Sequence, residues 1–192
     1  ELVGLVANPA GVMLVTGPVT GERTRGLNEK TMAWLNDLCK VHRLPLLIEA
    51  DGSRQHPLKA PAVHEPPIPV FTEMVVVVAG LSGIGKPLTE TTVHHSEVFA
   101  SLSGLAAGEL ITTEALAHVL TLSAGGLKNI PTNARRVAIL NQADTIELQS
   151  QGRALAERLM PVYHSVVIAS LRQSQIYSVH EPTAAIILAA GE

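Results

Sequence analysis

The run Met74–Gly80, MVVVVAG, constrains the fold more than any other stretch of this chain. Seven residues without a polar side chain, mostly β-branched, fit a strand buried on both faces, and such strands belong to parallel sheets covered by helices. Similar strand-sized runs recur at Arg136–Asn141 (RVAILN) and Ser165–Leu171 (SVVIASL), with Leu44–Ala50 (LPLLIEA) and Gly11–Gly17 (GVMLVTG) upstream. Helical spacing of apolar residues fills the gaps. It predicts helices from Asn28 to about His42, over Val93–Leu102, over Thr112–Leu122 and over Thr145–Met160, with Asn28, Thr112 or Thr113, and Thr145 at the starts. Strands alternating with helices predict a three-layer α/β fold with a mostly parallel sheet and helices on both faces. The composition agrees, because the chain is 46% hydrophobic but only 3% aromatic.

Composition also narrows the function. A net charge of −3 with no basic block gives a nucleic-acid backbone nothing to bind, so no nucleic-acid partner is expected. The single Cys39 excludes an internal disulfide and suits a reducing compartment. No apolar run approaches the roughly 20 residues of a membrane span. A soluble, cytoplasmic protein without a membrane partner is expected. Both ends read as interrupted, since the chain starts at Glu1 and stops just after an apolar run at 184–192, AAIILAAGE.

Three stretches carry candidate chemistry. In LPLLIEADGSRQHPLKAPAVHEPPIP, residues 44–69, an apolar strand delivers Glu49 and Asp51 to one strand face. A proline-stiffened loop with Arg54, His56, Lys59, His64 and Glu65 follows. Carboxylates at a strand end can hold Mg²⁺ or its water shell, and they can equally fix the turn at Gly52. Gly80–Pro87, GLSGIGKP, stands one residue from the phosphate loop G-x-x-x-x-G-K-[ST]. Pro87 replaces the hydroxyl and removes an N–H, which makes it a near miss. Asn141–Asp144, NQAD, resembles the guanine-reading N-K-x-D of GTPases, with Gln142 in the lysine place. The alternative is an Asx turn at a helix start. Ser170, 29 residues beyond Asn141 at the end of the next strand, falls where a second base-contacting loop would sit. The histidines, including His94 and His95, match no zinc spacing.

Taken together, E-A-D-G-S-R-x-x-P-L-K-A-P-x-x-H-E-P-x-I-P at Glu49–Pro69 is similar to the signature of the YqeC family. The likeness continues through V-V-A-G-L-x-x-x-G-K-P-L at Val77–Leu88, V-H at Val93–His94, the G-G-L-K and A-R-R-V segments, and L-N-Q-A-D at Leu140–Asp144. The resemblance implies a P-loop NTPase-like fold over residues 1–183. It also implies an accessory or maturation role for a selenium-dependent molybdenum hydroxylase or its cofactor machinery. Family members carry a Gly-Gly-Lys-Thr phosphate loop that this sequence lacks, so the chain is expected to start downstream of it and to bind nucleotide weakly or not at all alone. Residues 184–192 resemble the opening of molybdenum-cofactor nucleotidyltransferases, which implies a second domain starting there.

The resemblance assigns expected roles. In the complete protein Asp51, supported by Glu49, would help hold Mg²⁺ for catalysis with GTP or ATP. Asn141, Asp144 and Ser170 would face the base, and Arg54, Lys59, His64 and Glu65 would form a family-specific surface near the phosphates. Two alternatives stand beside this reading. One is a non-hydrolysing binding module for a cofactor or partner enzyme; the other is part of a fused molybdenum-cofactor cytidylyltransferase.

Overall fold

The computed structural model describes residues 12–21 and 23–181, and the apolar run at 184–192 lies outside them. The chain divides into two compact units, Glu1–Glu49 and Ala50–Glu192. Within the first, β1 (Val19–Thr20) and β2 (Arg23–Thr24) form a short antiparallel hairpin. Helix α1 (Glu29–His42) starts where Asn28 accepts a hydrogen bond from the Thr31 N–H, and it ends where Arg43 turns left-handed at φ 55°.

The run Leu44–Ala50 is not a strand, and neither is the described part of Gly11–Gly17. Exposure alternates along Leu44–Glu49, as in extended chain, but no neighbouring strand among the described residues supplies a ladder, and Pro45 has no N–H to give. The strand face expected to carry Glu49 and Asp51 is therefore not formed. Glu49 is exposed in the first unit, whereas Asp51 belongs to the second.

The second unit is built on a four-stranded sheet in the order β4–β6–β7–β8. Strands β4 (Met74–Gly80), β6 (Arg135–Asn141) and β7 (Ser165–Ser170) run parallel, and β8 (Gln175–His180) closes one edge antiparallel. A pair of two-residue parallel strands, β3 (Leu58–Lys59) and β5 (Val93–His94), lies beside it. Helices α2 (Ser96–Ser103), α3 (Thr113–Thr121) and α4 (Ile146–Leu159) form the packing layer. The fold is α/β with mostly parallel sheets and four helices among the described residues.

The core lies between this helix layer and one sheet face. Leu140, Val166 and Ile168 are fully buried there with Phe99, Leu116, Leu155 and Leu159. Gly152 lets α4 approach closely, since a Cβ there would sit 3.0 Å from Leu81 and 3.2 Å from Ile168. On the other face Val76 and Val78 of β4 and Val179 of β8 are exposed. Within this unit the helices cover one face, so the expected third layer is not present among its described residues.

Candidate functional site

The parallel strands β4, β6 and β7 end at Gly80, Asn141 and Ser170, and the chemistry-bearing loops leave from these carboxyl ends. In open α/β sheets this is the edge where ligands bind. Gly80 joins two clusters. Its N–H donates to the Pro57 carbonyl at 2.8 Å, and any Cβ would collide with Pro57 and the Gln142 side chain. Only glycine lets the strand end pass between them.

The first cluster surrounds Lys59. Buried Leu58 and Ala60 root β3 in the core, and Lys59 runs outward between them with its side chain 12% exposed. Its ammonium pairs with Asp51, with Glu65 Oε2 at 2.9 Å, and with the Gly52 carbonyl at 3.0 Å. Glu65 also accepts from the Ala62 N–H at 3.1 Å and lies 3.5 Å from His95 Nε2. Parallel pairing sets Lys59 beside His94. The His94 ring stacks on His95 at 4.0 Å and more loosely on His56 at 5.8 Å.

Burial pushes the Asp51 carboxyl up, against the opposing pull of Lys59. Glu65 is held below the ordinary carboxylate range. Burial works against it but is outweighed by the hydrogen bonds from Lys59 and Ala62 and the charges of Lys59 and His95. Burial lowers His94, with His95, Lys59 and Arg54 acting in the same direction and Glu65 against them.

The loop holding Glu65 is clamped from a distance. Lys128 donates to the Ala62 and Val63 carbonyls, and the Asn129 amide donates to the Pro66 carbonyl at 3.0 Å. Sequence reasoning missed Lys128 and Asn129, although the G-G-L-K segment was a visible signal, and it weighed His95 only as a metal ligand, not as a neighbour of Glu65. Of the expected surface residues, Lys59 and Glu65 meet. Arg54 sits exposed in a left-handed turn with Gln55, and His64 is exposed on the loop.

The second cluster is the NQAD corner. Asn141 Oδ1 accepts from the Leu171 N–H at 3.0 Å, which ties the end of β6 to the loop after β7. Ser170 Oγ donates to Asp144 Oδ1 at 2.5 Å and accepts from the Gln173 N–H at 3.4 Å. The structure thus brings Asn141, Asp144 and Ser170 together. Gln142, at φ 61°, turns away and its Oε1 accepts from Ser82 Oγ at 2.5 Å. The corner is locked at both ends by Ala143, which is buried with its N–H on the Ala169 carbonyl, and by Thr145, which caps α4.

Gly80–Pro87 forms no phosphate cradle. The N–H groups of Ile84, Gly85 and Lys86 are spent on the carbonyls of Leu81, Ile111 and Gly83. A phosphate would have to displace these bonds, and Pro87 has no N–H to offer.

Among the described residues no group of three or more His, Cys, Asp or Glu could hold a metal ion. No helix among them is long and apolar enough to cross a membrane.

Residues 5–97 match the protein-family model described as YqeC protein. A protein of Escherichia coli (strain K12) named Uncharacterized protein YqeC is 36% identical over 117 residues, which is 61% of this chain and 44% of that protein. The chain therefore spans less than half the length of that relative. No solved structure matches. Residues 5–97, which hold the Glu49–Pro69 signature and the Lys59 cluster, are thus the part of the chain that matches the YqeC family.

Proposed function

We propose that this protein is an accessory factor for a molybdenum hydroxylase and that it binds a guanine nucleotide through the Asn141–Asp144–Ser170 corner of a P-loop NTPase-like fold. The observation that carries the nucleotide reading is the hydrogen bonding of that corner. With its carbonyl end on Leu171, Asn141 presents its amide as a donor. With one oxygen held by Ser170, Asp144 keeps the other as an acceptor. A donor beside a carboxylate complements guanine, which offers the N7 acceptor together with N1–H and N2–H₂ donors. Adenine has an unprotonated N1 at that position, and a carboxylate there meets a lone pair. GTP or GDP therefore fits better than ATP. The hydroxylase role rests on the resemblance of the Glu49–Pro69 signature alone, and the relative's name assigns no activity.

The residues present do not fit a Mg²⁺ ion bound directly by Asp51, because the Lys59 ammonium occupies that carboxylate. That observation favours a second form of the reading, in which the protein binds and signals its nucleotide state without hydrolysis. No step is assigned to a metal here.

Titration of the whole protein with fluorescent GDP and ADP tests the proposal. Saturable GDP binding at least tenfold tighter than ADP is expected, from the roughly 1–3 kcal/mol that a good bidentate contact discriminates. Equal affinities, or none for either, would refute the base assignment.

A further inference from the structure

We propose that Lys59 is a built-in cation. Its ammonium takes the place a divalent ion would hold between Asp51 and Glu65, so that this carboxylate pair works without a metal and excludes one. The inference does not depend on the nucleotide reading, since no residue of the Asn141 corner enters it.

An ammonium has three N–H donors. Lys59 meets three acceptors from two parts of the chain, namely Asp51 Oδ1 with the adjacent Gly52 carbonyl, and Glu65 Oε2. The donor count is saturated, which leaves none for a substrate phosphate. Two carboxylate oxygens and a backbone carbonyl are also the ligand types of a hard divalent cation. A Mg²⁺ or Mn²⁺ ion among these oxygens would sit within contact range of a fixed positive charge, and that repulsion keeps it out.

Lys59 cannot easily withdraw. Its backbone is paired to β5 and flanked by fully buried Leu58 and Ala60, so the stem is rooted in the core. Nor can Glu65 easily leave, because Ala62, Lys128 and Asn129 hold its loop. The cluster therefore behaves as one rigid unit in which a single ammonium bridges two carboxylates. The adjacent His94–His95 stack supplies the groups that remain to meet a ligand.

Mn²⁺ alone is the probe. In this chain, paramagnetic broadening of the Asp51 and Glu65 amide signals is expected to be absent at millimolar Mn²⁺. Lys59→Met removes the charge while keeping the stem, so the same oxygens should then take up Mn²⁺, with at least tenfold tighter binding than the wild type. Asp51→Asn in the Lys59→Met background should abolish the gain, and Lys59→Arg should show none. Selective broadening at Asp51 in the wild type would overturn the inference. So would a folded Lys59→Met protein that gains no Mn²⁺ binding. Should Lys59→Met fail to fold, Lys59→Gln, which keeps a polar stem end, carries the same two outcomes.

Discussion

Ser170 is buried at the end of β7, yet its hydroxyl reaches Asp144 beyond the end of β6 and also receives the Gln173 N–H. Replacing it by alanine leaves that N–H without its partner and lets the carboxylate swing. Ser170→Ala should cost about 1 kcal/mol in chemical denaturation, the usual net worth of one such hydrogen bond. It should also weaken guanine-nucleotide binding several-fold in the same titration.

His94 gives a second residue-level expectation. Its folded value lies below the ordinary histidine value of 6.5, through burial first and then through His95, Lys59 and Arg54, with Glu65 opposing. As pH falls through about 6.5 the unfolded chain takes a proton that the folded one resists. Stability should therefore drop between pH 7.5 and 5.5, and His94→Gln should flatten that part of the Tm–pH curve. An unchanged slope in the variant would show that other groups cause the drop. The candidate residues were legible in the sequence as types and positions, but their partners were not. Nothing in the order of residues says that Lys59 spans Asp51 and Glu65, or that Gln142 turns back to Ser82, because both depend on how separate loops meet at Gly80.

At the scale of elements, a buried hydrogen bond ties the end of α3 to the turn before β7. The Tyr163 hydroxyl, buried just before β7, donates to the Leu120 carbonyl at 2.9 Å, and burial pushes its pKa up. Gly125 and Gly126 pass directly over the last turn of α3. A Cβ on Gly126 would collide with the Leu120 carbonyl and lie 2.9 Å from the Tyr163 hydroxyl. Gly126→Ala should destabilise by about 1–3 kcal/mol, as overpacking does. Tyr163→Phe should cost about 1–3 kcal/mol by leaving a buried carbonyl unpaired. Denaturant unfolding followed by far-UV circular dichroism measures both.

The elements that the sequence announced most clearly are those with dense periodic signals and a cap. Strands β4, β6 and β7 and helices α1, α3 and α4 lie within a residue or two of their predicted bounds. The expected helix Val93–Leu102 is instead β5 followed by α2, because His95 turns left-handed between them. β3 and β5 are too short to show a period of two. β8 carries polar residues at an edge, where one side needs no burial. Leu44–Ala50 had the apolar content of a strand, but no strand among the described residues offers it a ladder.

At the scale of the whole molecule, the second unit holds both clusters on the carboxyl-end edge of one sheet, joined through Pro57, Gly80 and Gln142. The family match covers residues 5–97 and so includes the Lys59 cluster, while the base corner lies beyond it. The two halves of the proposal therefore rest on different stretches of the chain and can fail separately. The base corner is the central claim, and its donor and acceptor pattern can be inverted with one atom. Asp144→Asn exchanges the free carboxylate acceptor for an amide donor, and xanthine differs from guanine by a carbonyl in place of the N2 amine. Competition binding of GDP and xanthosine diphosphate to the wild-type and Asp144→Asn proteins therefore tests the account most directly. It predicts that the wild type prefers GDP and the variant prefers xanthosine diphosphate, each by tenfold or more. The same order of affinities in both proteins would contradict it.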